Sequence, residues 1–477
     1  MSLFHLQGVG LEYPHRVCFH SVDLHIVVGQ RIALVGDNGS GKSSFLQLLC
    51  GALSPSAGQL HRQTHLQIGY LPQVTLAAPG LSGGQTMQQR LSDALQTQPD
   101  VLLLDEPSNH LDPAARKALK RMLQAFGGTL LLVSHDAELL RGLCDTLYCL
   151  QDGQLQVFHG ELEDWLQHQA AERERVQAAL DAIALEQQQA HQQLMREQQR
   201  ASKARQHGNK QIEERRWATI KSPAKLGRSN TTAGQRQAGL RDKREALLAQ
   251  RAALPRFEEI QPSFQLPAAG RGNRHVLQIA AGVLGYTPAA PVLTGIQLQL
   301  EANERLWLTG ANGSGKSTLL RALQGDASLH REGDWLLPPP AEVAYLDQHY
   351  ADLQPSLTVL ACLQDRAPGW SMQQLRRHLS DFLFRHEAQV HCTVERLSGG
   401  ERARLALACL AARPPRLLLL DEPSNNLDWT LKRHLLSVLQ AWPASLLVVS
   451  HDVAFMQQLR IDRQLSVEAW HAWSQFG

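Results

Sequence analysis

The chain has 477 residues, 43% of them apolar and 19% charged, with a net charge of +2, the make-up of a globular protein of about three domains at roughly 150 residues each. It holds no run of ~18 apolar residues, the length that spans a bilayer, and MSLFHLQGVGLEYPHR lacks the basic start and apolar stretch of a secretory leader, so a cytoplasmic protein without a membrane domain is expected. Seven scattered cysteines, an odd number with no C-x-x-C pair, argue against a disulfide framework or a zinc site.

In chain order, RIALVG (31–36) reads as a short buried strand running into a Gly-rich turn, and SSFLQLLCGAL as the apolar-periodic helix after it. Gly36-x4-Gly41-Lys42-Ser43 fits the P-loop pattern. Its glycines let backbone N–H groups converge on phosphate oxygens, and the helix N-terminus adds positive potential there. Gly36, Asn38, Gly39, Gly41, Lys42, Ser43 and Ser44 are therefore candidate ATP contacts, with Lys42 on the β/γ-phosphates and Ser43 on Mg2+. GYLPQ ends at Gln73 and LSGGQ spans 81–85. LLLDEPSNHLD (102–112) is an apolar strand stopped by Pro, the mark of a central strand covered on both faces. Asp105 at its end suits Mg2+ or a metal-bound water, and Glu106 suits polarising the attacking water. LLVSHD (131–136) ends the next strand, and its His135 is placed to touch a γ-phosphate.

Residues 161–262 read differently. Val176, Leu180, Ile183, Ala190 and Leu194 form a narrow 4,3 stripe on a Gln/Glu/Arg-rich background, and Leu240, Leu247 and Leu254 supply a returning seam. A helical hairpin is expected, with Gly, Pro and Ser breakers at its tip. Between 196 and 244, fourteen Lys and Arg face four acids, a local +10 that leaves −8 for the rest of the chain. Such a patch suits a polyanion. Lys203, Arg205, Arg215, Arg216, Lys221, Lys225 and Arg228 are candidate phosphate contacts, and Trp217 a candidate stacking side chain. The alternative is a solvated charged hairpin whose tryptophan packs on its own partner helix.

From 263 onward the first copy returns. GANGSGKST (310–318) repeats GDNGSGKSS at an offset of 274 and AYLDQ repeats GYLPQ at 275; LSGGE (397–401), LLLDEPSNNLD (418–428) and LVVSHD (447–452) repeat at 316. The matching candidates are Gly310, Asn312, Gly313, Gly315, Lys316, Ser317 and Thr318 for ATP, Ser317 and Asp421 for Mg2+, and Glu422 and His451 for catalysis. Strands alternating with helices predict a three-layer α/β core with a parallel sheet in each copy. The expected domains are 1–160, 161–262 and 263–477. The second copy holds 41 extra residues between Gln348 and its LSGG, which read as a helical subdomain; the first has only 74–80 there.

This set of motifs resembles the ATP-binding cassette family, and the tandem cassettes, DEPSNHLD and DEPSNNLD, and the long basic linker resemble its ABC-F group. The resemblance implies cassettes facing head to tail within a monomer, each ATP held between one P-loop and the other signature. Ser398, Gly399, Gly400 and Glu401 would then serve the ATP on Lys42, and Ser82, Gly83, Gly84 and Gln85 the ATP on Lys316. Gln73 and Gln348 would join the metal sites, and Tyr13 and Tyr286 would stack on adenine. ABC-F proteins are soluble ATPases, many of them acting on the ribosome near the exit-site tRNA, as translation factors or in protection against antibiotics; ribosome, tRNA or other RNA is the implied partner. Ser108 and Ser424 stand where that group has Thr, and Asn426 where it has His. A DNA-associated ATPase and the ATPase subunit of a membrane transporter are the alternative readings.

Overall fold

The computed structural model describes residues 2–13, 16–73, 83–108, 111, 113–214, 239, 242–243, 245–252, 260, 262, 264, 275–347, 353–425 and 427–470. Two compact units emerge: Met1–Leu162 together with Glu259–Gly477, and Glu163–Glu258.

Within the first unit each copy builds two sheets. The first copy's main sheet runs in the order Ile68–Leu71, Val101–Asp105, Thr129–Val133, Arg31–Val35, Thr146–Gln151 and Gln154–His159. The first five are parallel and the last is antiparallel to its neighbour. The second copy repeats the arrangement with five parallel strands, Val343–Leu346, Leu417–Asp421, Ser445–Val449, Arg305–Thr309 and Arg463–Ser466. Val101–Asp105 and Thr129–Val133 are buried at every position, because helices cover one face and a further sheet the other. Leu417, Leu419, Leu447 and Val449 enter one core, while Leu418, Leu420, Leu446 and Val448 enter another on the opposite face. Each fully buried Leu or Val contributes roughly 1.5–3 kcal/mol.

The further sheets are antiparallel. Ser2–Tyr13 pairs with Arg16–Val27 and Ala57–Arg62; His275–Thr287 pairs with Ala290–Glu301 and His330–Leu336. Burial alternates along Ala290–Glu301, so one face of this sheet closes over the P-loop helix and the other meets water. In the second copy the helices Val359–Arg366, Met372–Asp381 and Glu387–Val390 precede the signature helix Gly399–Ala412. Thr358 caps the first of these through the Ala361 N–H, and Ser371 forms a capping box with Gln374 on the second. The first copy resumes at the helix Gly83–Gln96; residues 74–82 lie outside the described ones.

In the second unit a helix runs over Leu162–Glu214 for 53 residues, about 80 Å at 1.5 Å per residue. Val176 and Ala190 are buried on it, and Leu180, Ile183 and Leu194 are half-buried. Residues 245–252 are helical again, Leu247 is buried, and the Lys243 ammonium stands 3.9 Å from the Glu186 carboxylate. Leu240 and Leu254 lie outside the described residues.

Candidate functional site

The strand Arg31–Val35 delivers the chain into Gly36 at φ 154°, where a Cβ would lie 2.2 Å from the Leu150 carbonyl oxygen. Gly41, at φ 108°, opens the helix Lys42–Cys50 in the left-handed region. Both positions need glycine, and together they turn the helix N-terminus and the loop N–H groups inward. Lys42 is buried, and its Nζ donates to the carbonyls of Gly36 (2.7 Å) and Asp37 (2.9 Å). Lys316 does the same to Gly310 and Ala311, both at 2.7 Å. Ser43 lies beside Asp105, where its hydroxyl favours the charged carboxylate. Ser44, Ser317 and Thr318 lie in the first turns of the two helices, and Gly39 and Gly313 take φ near 80°. The hydroxyls of Ser40 and Ser314 are buried without a partner among the described residues. Sequence reasoning passed over both serines because they fill variable positions of the motif; orphaned hydroxyls in a phosphate loop mark room for a ligand's oxygen.

Glu106 and Glu422 sit just past their strands in the left-handed region, at φ 50° and 49°. That conformation costs a non-glycine residue about 1–3 kcal/mol, and a backbone bond offsets it in each copy: Glu106 N–H to Val133 O at 2.9 Å, and Glu422 N–H to Val449 O at 2.8 Å. Each carboxylate thereby faces its histidine. His135 Nε2 lies 3.6 Å from Glu106 Oε1, and His451 Nε2 lies 3.5 Å from Glu422 Oε1 and 3.2 Å from Asn312 Oδ1. The Ser108 and Ser134 hydroxyls, 3.4 Å apart, tie the two loops together, as Ser424 and Ser450 do at 3.5 Å. Burial pushes the Glu106 carboxyl up to about 8, against the pull of Lys42, and Glu422 to about 7. Burial also raises Asp105, lowers Lys42 and holds His135 well below the usual histidine range. The first site is the drier one, with the His135 side chain 6% exposed against 14% for His451. In the second, the Tyr345 hydroxyl donates to Asp421 Oδ2 at 2.9 Å.

The first site is built from both copies. Asp428 Oδ2 accepts the N–H of Asn38 at 2.8 Å, and Thr430 Oγ1 donates to Asp37 Oδ1 at 3.1 Å. Lys432 Nζ donates to the His135 carbonyl at 3.2 Å. These residues open the helix Trp429–Gln440, whose cap is again Asp428, through the Leu431 N–H at 2.7 Å. Sequence reasoning reached the motif that ends at Asp428 without giving that residue a role, and it passed over Trp429, Thr430 and Lys432, because their role exists only across the seam. The Tyr13 hydroxyl lies 3.5 Å from Ser44 Oγ, while Tyr286 is 57% exposed. Gln73 is exposed just past the strand Ile68–Leu71. Ser398 and Glu401 form a capping box, the Ser398 hydroxyl donating to Glu401 Oε2 at 2.8 Å; Gly399 and Gly400 open that helix, as Gly83, Gly84 and Gln85 open theirs. Ser82 and Gln348 lie outside the described residues. Lys203 is exposed on the long helix, which also carries Arg205; Arg215, Arg216, Trp217, Lys221, Lys225 and Arg228 lie outside the described residues.

A family profile described as "ABC transporter" matches residues 19–81 and 293–425, and one described as an AAA domain matches 73–141. The tylosin resistance ATP-binding protein TlrC of Streptomyces fradiae is 30% identical over 545 residues, covering 94% of this chain and 95% of that protein. The chain belongs to the ABC-F family of tandem ATP-binding cassette proteins. Two other relatives are the ATP-binding protein Uup of Caulobacter vibrioides, 31% identical over 95% of this chain and 75% of that protein, and the ribosome protection protein VmlR of Bacillus subtilis, 26% identical over 95% and 84%. A chain in the solved "Model of ribosome-bound archaeal Pelota and ABCE1" shares the fold at 18% identity and a TM-score of 0.54, covering 94% of this chain and 74% of that one. The profile match to this ABC-F chain stops at 81 in the first copy, where the second copy has its extra residues. Among the described residues no helix is long and apolar enough to cross a membrane.

Proposed function

We propose that this ABC-F protein is a magnesium-dependent ATPase that hydrolyses ATP to ADP and phosphate at two sites, with closure of its cassettes coupled to binding of a ribosome or other RNA through the basic linker. The observation that carries the reading is the bond from the Asn38 N–H, inside one P-loop, to Asp428 of the other cassette. An ATP on the first loop thus lies against the seam, and its binding and loss act on the contact between cassettes.

In the first site Ser43, Asp105 and Gln73 would hold the metal, and in the second Ser317, Asp421 and Gln348. They are hard oxygen donors of the kind Mg2+ takes, and the placement of Ser43 beside Asp105 supports their convergence. Bound Mg2+ supplies neutralisation of charge at the β- and γ-phosphate oxygens. Lys42 and Lys316 leave their loop carbonyls for the phosphates. Glu106 and Glu422 orient the attacking water and take its proton, and His135 and His451 donate to a γ-phosphate oxygen. Tyr13 and Tyr286 lie along adenine. The signature residues complete each site from the opposite cassette: Ser398, Gly399 and Gly400 for the first, Ser82, Gly83 and Gly84 for the second. Glu401, which accepts from the Ser398 hydroxyl, and Gln85 in the other signature complete the ATP contacts.

The RNA half is supported by a relative named for ribosome protection and by the +10 stretch 196–244, which neutralises phosphates and releases counterions. The test is co-sedimentation of the Glu106→Gln, Glu422→Gln double variant with ribosomes. Pelleting with ATP and not with ADP is expected, and a protein that stays in the supernatant with ATP overturns the reading. Binding lost with DNase but kept with RNase would favour a DNA-associated ATPase. Co-purification with an integral membrane protein would favour a transporter subunit.

A further inference from the structure

The two cassettes hold their histidine loops by different means. In the second, the indole Nε1 of Trp307 donates to the Ser450 carbonyl at 3.0 Å, a bond within one cassette. The corresponding residue of the first is Ala33, which has no donor to offer. The first loop is instead reached from across the seam. Lys432 Nζ donates to the His135 carbonyl at 3.2 Å and to Asp452 Oδ2 at 3.1 Å. The Trp429 ring stands edge-on to the His135 ring, centroids 6.4 Å apart and planes at 66°, with Lys432 Nζ 5.6 Å from the Trp429 centroid. The matching residues of the first copy are Pro113 and Arg116. Proline carries no indole, and Arg116 pairs at 3.0 Å with Asp136 of its own cassette while its charge also acts on Glu422 and Asp452 across the seam. Glu106 Oε1, both ring nitrogens of His135 and Trp429 Nε1 are buried without hydrogen-bond partners among the described residues. A group of buried polar atoms left open in this way is a place prepared for water and phosphate oxygens.

We propose that Trp429 and Lys432 are positioning residues for hydrolysis at the first ATP site. They orient the His135 loop from the second cassette. At the second site the Trp307–Ser450 bond holds the His451 loop from within its own cassette, so the two sites differ in where the positioning of their histidine loops comes from. The inference rests on the ATPase reading above.

The test uses the full chain in two backgrounds, Glu422→Gln so that the first site reports and Glu106→Gln so that the second does. Lys432→Met is expected to lower kcat at the first site about 10-fold with KM for ATP changed by less than about two-fold, the loss of one charge-assisted hydrogen bond that orients and does not bind. Lys432→Arg restores most of the loss. Second-site kcat falls by less than about three-fold, through the Asp452 pair. Trp429→Phe gives a smaller loss in the same direction, and Trp307→Phe gives the mirror image, a loss at the second site alone. Equal losses at both sites, or a change in KM alone, would overturn the proposal. Hydrogen exchange supplies a readout that needs no turnover: Lys432→Met should speed exchange over 133–136 in nucleotide-free protein, and unchanged exchange there overturns the proposal as well. If exchange responds but neither background hydrolyses ATP, the ATPase reading is what fails, and the catalytic role falls with it.

Discussion

Asp428 does two jobs with its two oxygens, and two substitutions separate them. The residue is 6% exposed; Oδ1 caps the helix Trp429–Gln440 through the Leu431 N–H, while Oδ2 accepts the Asn38 N–H of the opposite P-loop. Asp428→Ala removes both bonds. Loss of the cap costs about 1 kcal/mol, which lowers the melting temperature of a cassette of this size by roughly 2–4 °C. Loss of the charge-assisted bond across the seam costs about 1.5–3 kcal/mol, and at 1.36 kcal/mol per decade that weakens closure on the order of 10- to 100-fold. Asp428→Asn keeps one carbonyl oxygen for the cap but turns its NH2 towards the Asn38 N–H, donor against donor. The alanine variant should therefore melt lower and hydrolyse ATP slowly, whereas the asparagine variant should melt like wild type and hydrolyse ATP just as slowly. Scanning calorimetry beside a steady-state phosphate-release assay reads both. An asparagine variant with full turnover would show that the seam bond does not contribute to catalysis.

Two further predictions follow from the unequal sites. Glu106→Gln should impair ATP turnover more than Glu422→Gln, because the second site depends on the shortened signature region of the first cassette while the first site is closed over by Asp428, Trp429 and Lys432; equal effects in single-variant assays would remove the asymmetry. In metal- and nucleotide-free protein, burial holds Glu106 at about 8 against an ordinary 4.5, so its protonated form stabilises the fold below pH 4.5 and that contribution is lost as pH rises through 8. The melting temperature should fall between pH 6 and pH 9 in wild type and fall less in Glu106→Gln, and parallel slopes would refute this.

Much of the site was legible because its constraints are local. Gly36 and Gly41 are demanded by positive φ and by the Leu150 carbonyl, and the apolar run before Asp105 is demanded by burial on both faces. Duplication made each motif its own control. The antiparallel sheets were not read from the sequence, since strands such as Ser2–Tyr13 carry bulges that break the period-2 pattern. Ser40 and Ser314 were missed because a small polar residue in a glycine-rich loop looks like filler until its hydroxyl is seen buried.

By itself the sequence determined that there are two P-loop cassettes and that the first has only seven residues, 74–80, between its Gln and its LSGG, and it set the expectation of which residues serve phosphate in each. The tertiary structure alone decided which residues of one cassette stand over the site of the other. The Asn38–Asp428 bond joins residues 390 positions apart, so no local propensity or spacing encodes it. Lys432 looks like any exposed helix lysine until the fold brings the His135 carbonyl to its ammonium, and Trp429 looks like a core residue until its ring is set against that histidine.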